Sequence, residues 1–194
     1  MIIGIFMNIY ILLAHPDKNS FNGSLADAYE AEAIRSGHEV RRQNLGEMAF
    51  DPILWKGYRA IQPLEPDLIQ AKENIIWCQH WVIFYPVWWG SVPAILKGFL
   101  DRTLYPGFAF RYHDKGPLWD KLLKGRTAHV VSTCDAPWWW IWWQYRNSDI
   151  HMIKAATLEF CGISPVKTTR IDRVKYLNPI QRKDRTDNLL RDML

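Results

Sequence analysis

The stretch that decides the fold runs Trp81-Val-Ile-Phe-Tyr-Pro-Val-Trp-Trp-Gly-Ser-Val-Pro-Ala-Ile-Leu-Lys-Gly-Phe-Leu-Asp-Arg102. Val82 to Tyr85 is a short continuous apolar run, which predicts a strand buried on both faces. Pro86 has no N–H to give to a ladder and ends the run, while Gly90 permits a turn that other residues resist. Proline is tolerated in a first helical turn, so a helix is predicted from Val92 or Pro93 to Leu104. The loop between them, Pro86 to Ser91, then lies at the carboxyl end of a buried strand. Open α/β sheets bind ligands there.

Working outward, Asn8 to Ala14 reads as a buried first strand, followed by a polar loop from His15 to Gly23. Leu25, Ala28, Tyr29, Ala33 and Ile34 recur at helical spacing, which predicts a helix over Ser24 to Ser36 with Gly37 as its C-cap. His38 to Leu45 suits a second strand. Gly46 to Pro66 is a long connection, with a short helix predicted over Pro52 to Tyr58; a connection this long is usually functional or a cover. Asp67 is expected to cap a helix reaching Gln79.

Beyond the central stretch, Tyr105 to Gly125 reads as a surface excursion and Thr127 to Thr133 as the fourth strand. Cys134 to Trp143 is expected to be a loop, a helix follows from Tyr145 or Asp149 to Phe160, and Gly162 stops it. Pro165 to Ile171 is the fifth strand, at an edge, and a last helix occupies 178–194. These elements predict an α/β fold of one domain over 1–194. It is a doubly wound five-stranded parallel sheet ordered 2-1-3-4-5, with helices on both faces. In that order the loops after strands 1, 3 and 4 meet at one edge.

Composition narrows the function. The 194 residues are 48% hydrophobic and 23% charged, as in a globular domain. The net charge of +4 is dispersed, and no nucleic-acid motif accompanies it. Cys78, Cys134 and Cys161 are widely spaced, which suits reduced thiols and a cytoplasmic setting. The six histidines are scattered, so no metal site is expected. Met1 to Leu13 is apolar but lacks a positive n-region and is too short to span a bilayer. Met1 to Phe6 reads as an extension before the first strand.

The three loops carry the chemistry. The first lacks G-x-G-x-x-G, yet Ser20, Asn22 and the N–H groups of a helix N-terminus suit either a bound phosphate or simple helix capping. Trp88 and Trp89, with Trp138, Trp139, Trp140, Trp142 and Trp143, line a pocket or cover an interface, since so much aromatic surface in water is a liability. A phosphate at one end and a flat aromatic system at the other describe a flavin.

At these residues the chain resembles the NAD(P)H dehydrogenase (quinone) family of flavodoxin-like fold, which includes quinone reductases and bacterial drug-activity modulators. The matching stretches are Ile11-Leu-Leu-Ala-His-Pro-Asp-Lys-Asn-Ser-Phe-Asn22, Phe84-Tyr-Pro-Val-Trp-Trp-Gly90 and Val92-Pro-Ala-Ile-Leu-Lys-Gly-Phe-Leu-Asp-Arg102. Gly107-Phe-Ala-Phe110 and Leu158-Glu-Phe-Cys-Gly-Ile163 match more weakly. The resemblance implies that His15, Ser20, Phe21 and Asn22 hold flavin phosphates. It implies that Pro86, Val87, Trp88, Trp89 and Gly90 border the ring, and that Thr133, Cys134 and Asp135 approach its pyrimidine edge. Many members carry Thr-Thr-Gly-Gly there; this chain has Thr133-Cys134-Asp135-Ala136-Pro137, and an Asp135 side chain facing the ring would disfavour anionic reduced flavin.

By position, Tyr145 and His151 are the candidates for the family's active-site tyrosine and histidine. Trp138, Trp139 and Trp140 would roof a substrate pocket. The implied reaction passes hydride from NAD(P)H through flavin to a quinone in one site, by turns. Chain length favours FAD over FMN, and a homodimer is expected. The rival reading is an ancillary subunit of a potassium-efflux transporter, with the tryptophan run and basic tail as its docking surface. A membrane-surface role for the run is the weaker version, since no amphipathic basic helix is expected beside it.

Overall fold

A computed structural model describes residues 6–193. The first five residues of the expected extension, Met1 to Ile5, lie outside that range. Five strands form one parallel sheet: β1 (Asn8–Leu13), β2 (Glu39–Asn44), β3 (His80–Pro86), β6 (Thr127–Thr133) and β7 (Val166–Ile171). Their spatial order is β2-β1-β3-β6-β7. This is the predicted 2-1-3-4-5, because β4 (Phe110–Tyr112) and β5 (Trp119–Lys121) pair only with each other. The excursion after the third strand is thus a small antiparallel ribbon. Trp119 stacks on Phe160 at 4.4 Å and pins it to the body.

Strand alternation sorts the core into two layers. Tyr10, Leu12, Ile83, Tyr85 and Val130 face α2 (Pro66–Trp77), α3 (Ala94–Thr103) and α5 (Ser148–Ile153). Ile9, Ile11, Leu13, Val82, Phe84 and Val131 face α1 (Phe21–Arg35) and α6 (Pro179–Arg191). Every residue of β3 is buried, as a strand covered on both faces requires. Pro86 is its last residue, opposite Thr133, so the strand stops where the ladder loses a donor.

Several boundaries differ from the sequence-based expectation. Helix α1 begins at Phe21 rather than Ser24, because Ser20 accepts the Gly23 N–H at 3.2 Å and starts the turn early. A Cβ on Gly23 would stand 1.8 Å from the Lys18 carbonyl oxygen, so only glycine lets the loop fold onto the helix there. Asp67 does not cap α2. Glu65 holds the cap position, and Asp67 instead accepts the Ala49 N–H at 2.6 Å.

The expected helix over Pro52 to Tyr58 is reduced to a single 3-10 turn at Gly57–Arg59. The long connection is held by side chains instead. Arg102 of α3, fully buried, binds the Glu65 carboxylate at 2.8 Å, the Pro63 carbonyl at 2.7 Å and the Asp51 carbonyl. The segment is a clasp over α3.

The largest correction concerns the tryptophan run. Trp138–Tyr145 is a helix, α4, and the loop before it spans only Cys134 to Pro137. Asp172 accepts the Trp138 N–H at 3.0 Å and so caps the helix from across the chain. The helix expected from Tyr145 or Asp149 to Phe160 is broken from α4 by Arg146 and Asn147, both left-handed, and α5 then continues as a π-helical turn over Lys154–Glu159.

Candidate functional site

The parallel order places the carboxyl ends of β1, β3 and β6 side by side, and their loops enclose a cavity of about 190 Å³. Its walls are His15, Ser20, Phe21, Asn22, Pro86, Val87, Trp88, Thr133, Cys134 and Asp135, with Val174 completing it. Ten of the twelve residues expected to hold a flavin therefore share one hollow. Trp89 and Gly90 lie outside the lining, in the turn beyond Trp88. A larger hollow, about 400 Å³, opens between the clasp and Arg102, Tyr105 and Pro106, and gathers none of these residues.

Hydrogen bonds tie the three loops together. Asn22 Nδ2 donates to Thr133 Oγ1 at 2.7 Å, which fixes the first turn of α1 against the end of β6. The Val87 N–H donates to the Thr133 carbonyl at 2.7 Å. The His15 ring meets Trp88 edge-on at 5.7 Å. His15 Nδ1 accepts the Asp17 N–H at 2.9 Å, so the neutral ring carries its proton on Nε2. Asn22 Oδ1 is buried with no partner. At the start of α1 the Phe21 and Asn22 N–H groups have no intrahelical acceptor. The cavity thus offers donors at one end, a buried free acceptor beside them, and an apolar wall.

The loop after β6 shows how Asp135 is used. Its Oδ1 accepts the Lys175 N–H at 2.9 Å, so the carboxylate is engaged by the loop after β7. The Cys134 thiol donates to the Ala136 carbonyl at 3.2 Å; burial pushes its pKa up, against the pull of the nearby Arg170.

Helix α4 bridges the site. Its start is capped by Asp172 at the end of β7, and its end reaches the loop after β3. There the Tyr145 ring packs on Gly90, and Ser148 Oγ donates to the Gly90 carbonyl at 2.6 Å. Tyr145 thus stands beside the cavity loops, while His151 is exposed on α5. Trp138, Trp139 and Trp140 do not line the cavity. The run is helical and turns Ile141 inward, which leaves its tryptophans on the outer faces.

Sequence reading missed the network between α5 and the sheet. Tyr85, Ser132 and Arg170 are paired across β3, β6 and β7 and so share one face of the sheet. Asp149, fully buried, accepts from Tyr85 Oη at 2.8 Å and from Arg170 Nη2 at 2.8 and 3.0 Å. Burial and the Asp149 carboxylate hold the Tyr85 phenol well above its usual range. An aspartate four residues after Tyr145 carries no periodic signal of burial. An arginine in an edge strand reads as solvent-facing.

The sequence profile of the flavodoxin-like fold family matches residues 7–194. NAD(P)H dehydrogenase (quinone) 1 of Cavia porcellus is 31% identical over 184 residues, 78% of this chain and 63% of that protein. The protein of the same name from Rattus norvegicus is 29% identical, over 87% of this chain and 70% of its own length. This chain therefore spans less than two thirds of the guinea-pig relative. The crystal structure of Smu.1420 from Streptococcus mutans UA159 superposes with a TM-score of 0.83 at 26% identity, covering 96% of this chain and 98% of that one. The chain belongs to the flavodoxin-like fold family.

Proposed function

We propose that the protein is a flavin-dependent oxidoreductase that carries reducing equivalents from NAD(P)H to a quinone or similar flat aromatic acceptor. The observation that carries this reading is the meeting of the strand-end loops of β1, β3 and β6 in one cavity. The two curated relatives reported above carry the name NAD(P)H dehydrogenase (quinone) 1.

The cavity's own groups fit a flavin. His15 Nε2–H and the free amides of Phe21 and Asn22 suit phosphate oxygens, with Ser20 fixing the turn that presents them. Asn22 Oδ1 is a buried acceptor that a ribityl hydroxyl would satisfy. Pro86, Val87 and Trp88 form the apolar border of a ring, with Trp89 and Gly90 beyond them, and Thr133, Cys134 and Asp135 stand at the opposite edge. A bound flavin supplies the hydride chemistry.

The chain supplies position and charge. Asp135 gives one carboxylate oxygen to the Lys175 backbone N–H, which draws the group toward the loop after β7 and lessens the conflict expected with a reduced ring. The Tyr145 phenol, set on Gly90, is the nearer of the two expected proton donors; His151 serves only through a different position of its ring. Trp138, Trp139 and Trp140 would roof a flat substrate from beyond the cavity lining. Nicotinamide and acceptor then use one face in turn. FAD is the expected flavin, with FMN the alternative, and a homodimer in the cytoplasm is the expected form. No observation favours the transporter-subunit reading.

The test is the absorption spectrum of the purified protein, with chromatography of the flavin released by heat. A yellow protein that bleaches with NADPH and recovers on adding menadione supports the reading, and chromatography separates FAD from FMN. A colourless protein that neither flavin reconstitutes overturns it.

A further inference from the structure

Helix α4 leaves an aromatic face against solvent. Trp138, Trp139, Trp140, Trp142 and Trp143 are 38 to 62% exposed, while Ile141 is the helix's buried residue. At about 100° per residue, Trp139 and Trp143 lie opposite Ile141, with Trp142 beside them. Trp89, 98% exposed, extends the surface past the end of α4, where Tyr145 meets Gly90. Single exposed tryptophans are ordinary, but a contiguous patch marks an interaction face. The face is held in place by the Asp172 cap at one end and the Ser148–Gly90 bond just past the other.

Cations flank it. Arg146 follows the last residue of α4, and Arg173 and Lys175 lie in the loop that abuts its start; all three are exposed. The acids nearby are engaged. Asp172 accepts from Trp138 and is ion-paired with Arg173, and Asp149 is buried with Arg170. Asp135 accepts only the Lys175 backbone N–H, so Arg146 and Lys175 are the cations of the face without an ion-pair partner among the described residues. The whole chain is also cationic, at +4.

We propose that this face is a membrane-surface contact. The indoles of α4 seat at headgroup level in a bilayer containing anionic phospholipid, and Arg146 and Lys175 meet the lipid phosphates. Tryptophan suits that layer because one edge of the indole is polar and the rest apolar. None of the described helices is long and apolar enough to cross a membrane, so the contact is peripheral. A second copy of the chain fits the face less well. A two-fold axis through α4 would set its cationic ends against one another, and like charges across an interface are penalised. The contact does not depend on the flavin reading; where both hold, it brings the cavity to the layer in which lipid-soluble quinones dissolve.

The test is flotation of the purified full chain with vesicles of phosphatidylcholine and phosphatidylglycerol. The protein should rise with these vesicles, and less with phosphatidylcholine alone or in high salt. Trp142→Ser with Trp143→Ser, and separately Arg146→Glu, should each cut vesicle partition by roughly tenfold. Lys183→Glu, the same change of charge on α6, should leave it unaltered. Should the tryptophan variants fail to fold, quenching of the wild-type tryptophan emission by brominated phosphatidylcholine reads the same contact. Absence of both flotation and quenching overturns the proposal. So does a Trp142/Trp143 variant that floats like the wild type while losing a dimer in sedimentation, which would put a second copy on α4.

Discussion

Gly90 and Tyr145 are in direct contact: a Cβ on Gly90 would lie 2.8 Å from two carbons of the Tyr145 ring. Gly90 belongs to the loop after β3 and Tyr145 is the last residue of α4, and the missing side chain of one makes room for the other. Gly90 also has φ +68, a conformation that L side chains rarely adopt. Gly90→Ala is therefore expected to destabilise the fold by about 1–3 kcal/mol, from overpacking and backbone strain together. Adding Tyr145→Ala should return the overpacking part and leave the strain. Urea titration of the single and double variants checks this. Equal losses in both would mean that the ring swings aside without resistance.

How much of this edge was legible in the sequence follows from the signal each residue sends. The buried run from Val82 to Tyr85, the proline after it and the alternation of strands with helices are local patterns, and the sheet order came out as they indicate. The ribbon of β4 and β5 and the clasp at Arg102 rest on contacts between distant segments, which leave no period to read. The tryptophan run misled because aromatic residues have only middling helix propensity. What makes α4 a helix is tertiary: the Asp172 cap and the inward packing of Ile141. Ser20 could be read as a helix cap or a phosphate ligand; it caps α1, and the amides that it leaves free are the ones a phosphate would use.

Asp149 of α5 and Arg170 of β7 form a buried ion pair, so the energetic test is to remove one partner. Asp149→Ala would leave the Arg170 guanidinium buried without its counter-charge and Tyr85 without its acceptor. A loss of about 3–5 kcal/mol is expected. Asp149→Asn keeps an acceptor oxygen for both and should cost less. Hydrogen exchange should locate the loosening in α4 and α5, which Asp149 holds to the sheet. A loss spread evenly over the fold would assign the pair a general rather than a local role.

Two buried histidines give the stability a pH dependence. Burial holds His80 down to about 4 and His129 down to about 3. In the unfolded chain both titrate near about 6.5. Between those values the unfolded state binds protons that the folded state refuses, so stability is full above pH about 6.5 and falls on acidification toward pH 4. Each histidine adds a slope of up to about 1.4 kcal/mol per pH unit in that window. His129→Gln keeps an amide at the position of Nε2 opposite Thr169 Oγ1, 2.8 Å away, and should flatten the profile by the share of one histidine. Urea unfolding at several pH values between 7 and about 5 separates this from the carboxylates, which titrate lower. A profile unchanged in the variant would show that His129 takes up its proton within the fold.

Asp135 decides whether the departure from a glycine-rich loop harms the site. Its Oδ1 accepts the Lys175 N–H at 2.9 Å, a bond that asparagine can also accept. Asp135→Asn is therefore expected to change the dissociation constant for flavin by less than about threefold, since asparagine keeps the bond by which the loop after β7 holds this side chain in the wall. Asn22→Leu removes both the tie to Thr133 and the free acceptor in the wall, and should weaken flavin binding by about tenfold or more. Quenching of free flavin fluorescence on titration with protein measures both. If Asp135→Asn instead tightened flavin binding tenfold, the carboxylate would have to face the ring in the loaded protein. The loop from Cys134 to Pro137 would then rearrange on binding, giving up the bond to Lys175 that positions it here.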